Sequence, residues 1–264
     1  MKTYLFVGDT HGDHDFLERA AEMAAEHDAE IIQVGDWGYV WPGLNPRTLQ
    51  VKTKGVAEAQ LKYVSTLLAR AGEKYAKPPV RMRFIDGNHD WHPELRRMVM
   101  NAHELSDGIL PGGGVLLAPN VIYQERGSTY EDEDGTRFLF CGGAPSIDRE
   151  FRTDGRSWWK EEIISEDEFQ CCMDAPGPFH IIVTHDAPDY PMGYGPKGSK
   201  LHREQAARSM EMVRLLVHKH EPELLVHGHW HSMYSRKMWN TTVTGLGCNY
   251  DKLDNAVMLW SRVP

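Results

Sequence analysis

Short apolar runs alternate with stretches of helical periodicity along the first half of the chain. Residues 4–7, 31–34 and 80–85 are β-prone apolar runs typical of buried strands, and each leads directly to a glycine or an acidic residue. Between them, residues 15–27 and 55–71 repeat apolar side chains at helical spacing, which predicts two amphipathic helices. This alternation predicts an α/β protein.

The pattern changes in the second half. Residues 121–124 and 137–141 predict two strands of an antiparallel hairpin around the acidic turn at 131–135. Residues 142–178 form a long, aromatic connection interrupted by glycine and proline, with one short helix near 165–172, and connections this long are often functional. Further strands are expected at 180–184, 224–227, 241–246 and 256–260, and further helices at 93–100 and 202–220. We find no repeat or linker, so residues 1–264 are predicted to form one domain.

Composition and charge narrow the class of protein. The chain of 264 residues has a net charge of −9, which disfavours nucleic-acid binding because that depends on basic side chains. Its four cysteines contain no C-x-x-C pair, so neither a disulfide framework nor a thiolate zinc site is expected. No apolar run approaches the roughly 18 residues of a membrane span. We expect a cytoplasmic protein without membrane association, either a monomer or a homodimer.

Side chains that bind metals follow five of the predicted strands. Ligand sites in α/β proteins lie at the carboxyl ends of strands, so these side chains are expected to meet at one edge. Any one of them has an ordinary explanation as a helix cap, a turn residue or a surface histidine. Their shared position at strand ends favours a common site instead. They are Asp9 and His11, Asp36, Asn88 and His89, His185, and His229 and His231.

These side chains divide into two sets of four ligands that share one carboxylate. The sets are Asp9, His11, Asp36 and His231, and Asp36, Asn88, His185 and His229. Because Asp36 has two oxygens, it can bridge two cations. Mixed carboxylate and imidazole ligands suit manganese, iron, zinc or nickel. Two metals about 3.5–4 Å apart form the clamp used for displacement at phosphorus, in which an activated hydroxide attacks.

Five short motifs in this order resemble the calcineurin-like metallophosphoesterases. They are Gly8-Asp9-Thr10-His11-Gly12, Gly35-Asp36, Gly87-Asn88-His89-Asp90, Thr184-His185 and Gly228-His229-Trp230-His231. The resemblance implies a four-layer α/β/β/α sandwich of two mixed β-sheets with a dinuclear site between them. It also implies two divalent metal ions as cofactors, with manganese as the first choice and iron, zinc or nickel as alternatives.

The resemblance also implies roles for residues beside the metals. His89 would stand outside the ligand set and act on the substrate phosphate or as the acid that protonates the leaving group. Asn88 and His89 would both contact the substrate. Asp90 has two interpretations, because it would either orient His89 in catalysis or cap the following helix.

Departures from the family pattern indicate which branch of the metallophosphoesterases the chain resembles. After Gly35-Asp36 the chain continues Trp37-Gly38, without the Asp-Arg pair of Ser/Thr protein phosphatases, and Asp90 stands where those enzymes have glutamate. The chain also leaves little room for the capping domain of DNA-repair exonucleases. This indicates a small bacterial- or phage-type phosphodiesterase acting on nucleotide-derived small molecules, including cyclic nucleotides, and on aryl phosphate esters. The alternatives are a phosphomonoesterase or protein phosphatase, and a non-catalytic metal-binding scaffold.

Two segments are candidates for substrate contacts. Trp37 begins an aromatic loop at 37–42 that would either stack on a nucleobase or pack against the next helix. A guanidinium binds phosphate in a bidentate manner, so Arg149, Arg152 and Arg156 are candidates for phosphate binding. Of these three, Arg149 is the preferred candidate. The alternative for these arginines is pairing with nearby acidic residues.

Overall fold

The computed structural model describes residues 1–44, 51–52, 55–105, 108–195 and 198–262. The strands of the first half are β1 (Thr3–Val7), β2 (Ala29–Gln33), β3 (Gly43–Leu44), β4 (Val51–Lys52), β5 (Met82–Phe84), β6 (Gly114–Ala118) and β7 (Val121–Gln124). Those of the second half are β8 (Thr129–Glu131), β9 (Arg137–Cys141), β10 (Ile181–Thr184), β11 (Leu224–His227), β12 (Tyr234–Met238), β13 (Thr241–Gly245) and β14 (Val257–Ser261). The helices are α1 (His14–Glu26), α2 (Val56–Lys74), α3 (His92–Leu105), α4 (Glu166–Asp174), α5 (Lys200–His220) and α6 (Leu253–Ala256), with 3₁₀ turns at Arg149–Phe151 and Lys160–Glu162.

Two six-stranded mixed sheets form the centre of the molecule. The first has the order β14-β1-β2-β5-β7-β6, and the second has the order β12-β13-β11-β10-β9-β8. In each sheet the four inner strands are parallel and both edge strands are antiparallel. β3 and β4 form a separate short antiparallel pair.

Three hydrophobic layers separate two helical layers and the two sheets. One layer packs the first sheet against α1, α2 and α3, and another packs the second sheet against α4 and α5. The middle layer lies between the sheets and includes Tyr4, Phe6, Phe138 and Val183. The predicted four-layer α/β/β/α sandwich of two mixed sheets is therefore confirmed.

The alternation along β1 shows how the sequence produces these layers. Leu5 and Val7 belong to the layer beneath the helices, whereas Tyr4 and Phe6 belong to the layer between the sheets. Successive side chains of a strand point to opposite faces, so a strand buried on both sides has to be apolar throughout. Each such side chain contributes about 1.5–3 kcal/mol by leaving water.

The predicted hairpin is wrong in one of its strands. β9 pairs in antiparallel register with β8, around the predicted acidic turn, whereas β7 lies in the other sheet beside β5. The run 121–124 is buried along its whole length, which suits an inner parallel strand better than a hairpin arm. The short helix near 165–172 is present as α4, and the one-domain interpretation of residues 1–264 stays a prediction.

The loops that follow the parallel strands of the two sheets lie close together. The loops after β1, β2 and β5 of the first sheet meet the loops after β10, β11 and β13 of the second. Backbone hydrogen bonds join them directly, since the amide of His229 donates to the Asp9 carboxylate and the amide of Asn249 donates to the Asp9 carbonyl. Within the described residues, none of the helices is both long and apolar enough to span a bilayer.

Candidate metal centre

The first predicted ligand set is assembled at this junction. One donor atom from each of Asp9, His11, Asp36 and His231 lies within 4.8 Å of the others. Nε2 of His231 is 3.0 Å from Oδ2 of Asp9, and Nε2 of His11 is 3.4 Å from Oδ2 of Asp36. Both carboxylates are buried, so they need a cation or proton partner within the protein.

The second predicted set lies beside the first and shares Asp36 with it. Oδ1 of Asn88 is 2.8 Å from Nδ1 of His229 and 3.1 Å from Nε2 of His185. That Nε2 atom is also 3.3 Å from Oδ1 of Asp36. Asp36 therefore faces one set with Oδ2 and the other with Oδ1, which is the arrangement expected of a bridging carboxylate.

The tautomer of His185 leaves a lone pair directed into the second set. Its Nδ1–H donates to the carbonyl of Val34 at 2.8 Å, so Nε2 of the neutral ring has no proton. This bare nitrogen faces Oδ1 of Asn88, which is an acceptor because the Asn88 amide nitrogen donates to Ser146. Acceptors that face one another at hydrogen-bond distance require a positive charge between them.

His11 repeats the same arrangement in the first set. Its Nδ1 lies 2.9 Å from Oδ1 of Asn249, whose amide nitrogen donates to Asp13, so His11 is the donor in this pair. The lone pair of Nε2 then faces Asp36. Asn249 was missed by the sequence analysis, although it follows the predicted strand at 241–246 as the other site residues follow theirs. Partners that fix the tautomer of a histidine in this way are typical of metal sites.

Without a metal, protons supply the missing positive charge. Burial lowers the pKa of His185, but the charge and hydrogen bond of Asp36 outweigh it and raise that pKa to about 10. Burial also lowers the pKa of His11, but the hydrogen bond and charge of Asp36 outweigh it and raise that pKa to about 9. Burial disfavours ionised Asp36, yet the charges of His185 and His89 hold its pKa well below the usual range. The donor atoms thus fit two divalent cations of the borderline class.

Backbone conformation is unusual at four of the ligand positions. His11, Asp36, His229 and His231 have φ angles of 45°, 53°, 65° and 48°, in the left-handed region that ordinary residues avoid. Such conformations persist only where the surrounding structure enforces them, and they concentrate at functional sites. Here they bend each loop sharply enough to turn its side chain back toward the centre.

Two motif glycines are explained by close approach to the ligands. A Cβ atom on Gly87 would lie 2.3 Å from Oδ1 of Asp36, and one on Gly228 would lie 2.1 Å from Oδ1 of Asp9. Neither position can accept a side chain without displacing a carboxylate.

His89 lies at the rim of the centre and contacts Arg152. The ring of His89 packs edge-on against His11, with a centroid separation of 5.2 Å, and Nη2 of Arg152 is 3.0 Å from its Nδ1 and in closer contact with Nε2. The Arg152 side chain is only 5% exposed and also donates to the carbonyl of Asn88. Burial lowers the pKa of His89, and the Arg152 charge adds to this although Asp36 opposes it. A lowered pKa makes the protonated form of His89 a stronger acid.

The Asp90 carboxylate lies between two loops of the centre. Its two oxygens accept hydrogen bonds from the backbone amides of Gly87, Gly38 and Trp37, and among the described contacts its carboxylate has no bond to His89. Helix α3 begins two residues later without using this side chain as a cap. Asp90 thus joins the loop after β5 to the loop after β2, and its catalytic role stays a prediction.

One of the two predicted substrate contacts needs correction. Trp37 is fully buried and packs on Phe84 with ring centroids 4.1 Å apart, so it belongs to the core and cannot stack on a nucleobase. The guanidinium of Arg149 lies over the ring of Trp158, 3.8 Å from its centroid, whereas Arg152 contacts His89. A phosphate contact by Arg149 stays a prediction.

A buried chain of hydrogen bonds supports Asn88 from behind. The amide nitrogen of Asn88 donates to Oγ of Ser146 at 3.3 Å, and Ser146 donates to Glu162 through both Oγ and its backbone N–H. Both amide atoms of Asn88 are thus engaged, so its predicted contact with substrate also stays a prediction. Ser146 and Glu162 come from the 142–178 segment, which gives this long connection a structural role at the site.

Glu162 should make protein stability depend on pH. Burial raises its pKa to about 7 although Ser146 donates to it, whereas the ordinary value is 4.5. Between these values the folded protein holds a proton that the unfolded chain releases, so stability falls as pH rises through that window. We expect Glu162→Gln to gain stability relative to wild type between pH 5 and pH 8, measured as urea midpoints. Glu161→Gln is the matched control, and a parallel pH dependence for Glu162→Gln and wild type would contradict the prediction.

Comparison with known proteins adds a family and a fold. A family model described as calcineurin-like phosphoesterase matches residues 2–233. No curated protein matches the chain. One solved structure superposes with a TM-score of 0.52 and 14% identity over 98% of both chains.

Two further solved structures are more distant. GAP50, the anchor in the inner membrane complex of Plasmodium, has a TM-score of 0.49 at 13% identity, covering 93% of this chain and 71% of its own. An archaeal phosphodiesterase has a TM-score of 0.42 at 10% identity, covering 98% of both chains. At such identities the likeness concerns the fold alone.

Proposed function

Because this chain belongs to the calcineurin-like phosphoesterase family, we propose that it is a dinuclear metal-dependent hydrolase of phosphodiesters. The proposed substrates are small nucleotide-derived esters, including cyclic nucleotides, with additional activity on aryl phosphate esters. Family membership implies a metal-dependent phosphoric ester hydrolase, and the preference for diesters is the further step. The expectation of a cytoplasmic monomer or homodimer stays a prediction.

One observation carries the proposal. The Nε2 atoms of His11 and His185 face the two different oxygens of Asp36, at 3.4 and 3.3 Å, and each offers a lone pair when its ring is neutral. Their outer nitrogens are already committed to Asn249 and Val34, so the rings cannot turn away. A scaffold that had lost metal binding would have no reason to retain two buried lone-pair clusters around one carboxylate.

The two ligand sets would each hold one divalent cation, with manganese as the first choice. Asp9, His11 and His231 would serve one cation, Asn88, His185 and His229 the other, and Asp36 both. When bound, such a pair activates water and neutralises phosphate charge in the transition state. The role of the ligand residues is to fix both positions before substrate arrives, which their buried partners accomplish.

His89 and Arg152 would act on the part of the substrate that faces away from the ligands. His89 stands beside both ligand sets and, in its protonated imidazolium form, would give one proton to the departing ester oxygen and become a neutral imidazole. Nε of Arg152 pairs with Asp148 and Nη2 contacts His89; we propose that this guanidinium would turn to phosphate oxygens, for which its geometry is suited, when substrate binds. The backbone amide of His89 donates to Oδ1 of Asp36 at 2.5 Å, so the histidine is held in register with the bridging carboxylate.

Metal analysis combined with a substrate panel tests the proposal. Protein loaded with manganese should contain two cations per chain and hydrolyse 2′,3′- or 3′,5′-cyclic nucleotides and an aryl diester faster than an aryl monoester or a phosphopeptide. Faster hydrolysis of the monoester or phosphopeptide would favour the phosphomonoesterase or protein phosphatase alternative. Full metal occupancy without turnover of any ester would contradict the enzymatic proposal and support a metal-binding scaffold.

Arg152→Ala should weaken turnover without removing metal. Loss of hydrogen bonds to a charged phosphate typically costs about 1.5–3 kcal/mol, so we expect kcat/KM to fall about 10- to 100-fold. Arg149→Ala is the matched control and should stay near the wild-type value, because its guanidinium packs on Trp158. The measurement is kcat/KM for both variants, with the metal content of the same preparations determined in parallel. A larger loss for Arg149→Ala would restore the arginine that the sequence analysis preferred.

A further inference from the structure

Tyr250 is an exposed aromatic residue beside the metal centre. It follows β13, in the same loop as Asn249, and its side chain is 82% exposed. Its ring lies nearly parallel to the ring of His11, at 19°, with a centroid separation of 6.2 Å. One face of an aromatic ring is thus presented to solvent immediately next to the first ligand set.

The loop that carries Tyr250 is held firmly on both sides. Asn249 bonds to His11 through its side chain and to the Asp9 carbonyl through its amide. The amide of Cys248 donates to the Asp251 carboxylate at 3.0 Å, and the amide of Asp251 donates back to the Cys248 carbonyl at 2.9 Å. The exposed ring therefore stands on a fixed support, and a preorganised contact loses little entropy when a ligand binds.

We propose that Tyr250 is the stacking surface for a nucleobase in the substrate ester. This inference rests on the proposed function, since the ligand sets and Arg152 would hold the phosphate while Tyr250 receives the planar group attached to it. Trp37 cannot take this role because it is buried in the core. Stacking on an exposed aromatic ring tolerates different bases, so Tyr250 would favour nucleosides over alkyl groups without selecting one base.

The inference is tested with two cyclic phosphodiesters. They share the five-membered phosphate ring that is hydrolysed and differ only in the group attached to it. They are adenosine 2′,3′-cyclic phosphate and glycerol 1,2-cyclic phosphate, assayed with manganese-loaded protein. Tyr250→Ala should raise KM about tenfold for the adenosine compound and leave the glycerol compound unchanged. Tyr250→Phe keeps the ring and should behave as wild type. Trp239→Ala is the remote control, because Trp239 is an exposed aromatic beyond the opposite end of β13.

A binding measurement separates this inference from the proposed function. Calorimetry should show that Tyr250→Ala weakens binding of adenosine monophosphate about tenfold but leaves binding of inorganic phosphate unchanged. Wild-type protein that hydrolyses no ester would contradict the proposed function, while the binding contrast would still decide the role of Tyr250. Equal effects of Tyr250→Ala on both cyclic diesters, or no effect on adenosine monophosphate binding, would overturn the inference.

Discussion

Asp36→Asn is expected to abolish hydrolysis and to leave fewer than two cations per chain. The substitution keeps the shape of the side chain but removes the charge and one of the two oxygens that face His11 and His185. Losing the shared ligand of a two-metal clamp removes several kcal/mol of transition-state stabilisation, which corresponds to a fall in kcat/KM of about a thousandfold or more.

Metal content and activity should be measured on the same preparations of this variant. Asp28→Asn is the matched control, because Asp28 is an exposed carboxylate whose contact is a surface pair with Lys77 and whose left-handed backbone also accepts asparagine. Two cations per chain in Asp36→Asn, together with wild-type turnover, would refute the bridging role. Loss of activity with both cations retained would limit Asp36 to positioning the amide of His89.

His89→Ala is expected to retain both cations and lose turnover. An acid that protonates the leaving group contributes about 10²–10⁴-fold, and this contribution matters most when the departing oxygen is strongly basic. The deficit should therefore be large for a nucleoside ester and small for a p-nitrophenyl ester, whose leaving group departs without a proton. The measurement is kcat for the two substrate types at saturating metal.

The control for this variant is His103→Ala on α3, which changes an exposed histidine that pairs with Glu125 away from the centre. An equal deficit for both leaving groups would assign His89 to phosphate stabilisation alone. Loss of a cation in His89→Ala would show that the ring supports the ligand sets, against the assignment made above.

The cluster of candidate ligands could be predicted from the sequence because its members follow a local rule. Each of Asp9, Asp36, Asn88, His185 and His229 comes within a few residues of the end of an apolar run. Parallel strands of one sheet bring such ends to one edge whatever their order, whereas the meeting of the edges of the two sheets depends on the topology. The four-layer fold came from the resemblance of the motifs, since periodicity alone indicated only an α/β protein.

The supporting residues were harder to predict because their roles depend on tertiary packing. Arg152 and Arg149 are three residues apart with the same chemistry, and only the 3₁₀ turn between them decides which one contacts His89. Likewise, Trp37 follows a ligand directly, but the fold turns it inward onto Phe84. The contacts of Asp90 with Trp37 and Gly38 could not be predicted from the sequence, because these partners lie on another loop, some 50 residues earlier in the chain.

The distribution of the candidate ligands between the two sheets has a consequence for the molecule as a whole. The loops of the first sheet carry Asp9, His11, Asp36 and Asn88, and those of the second carry His185, His229 and His231. Cations bound by residues of both sheets would hold the two sheets together, because separating the sheets would break the metal sites and release the cations. Metal binding would then increase the free energy of unfolding, by about 2.7 kcal/mol for each site when the free metal concentration is a hundred times the Kd.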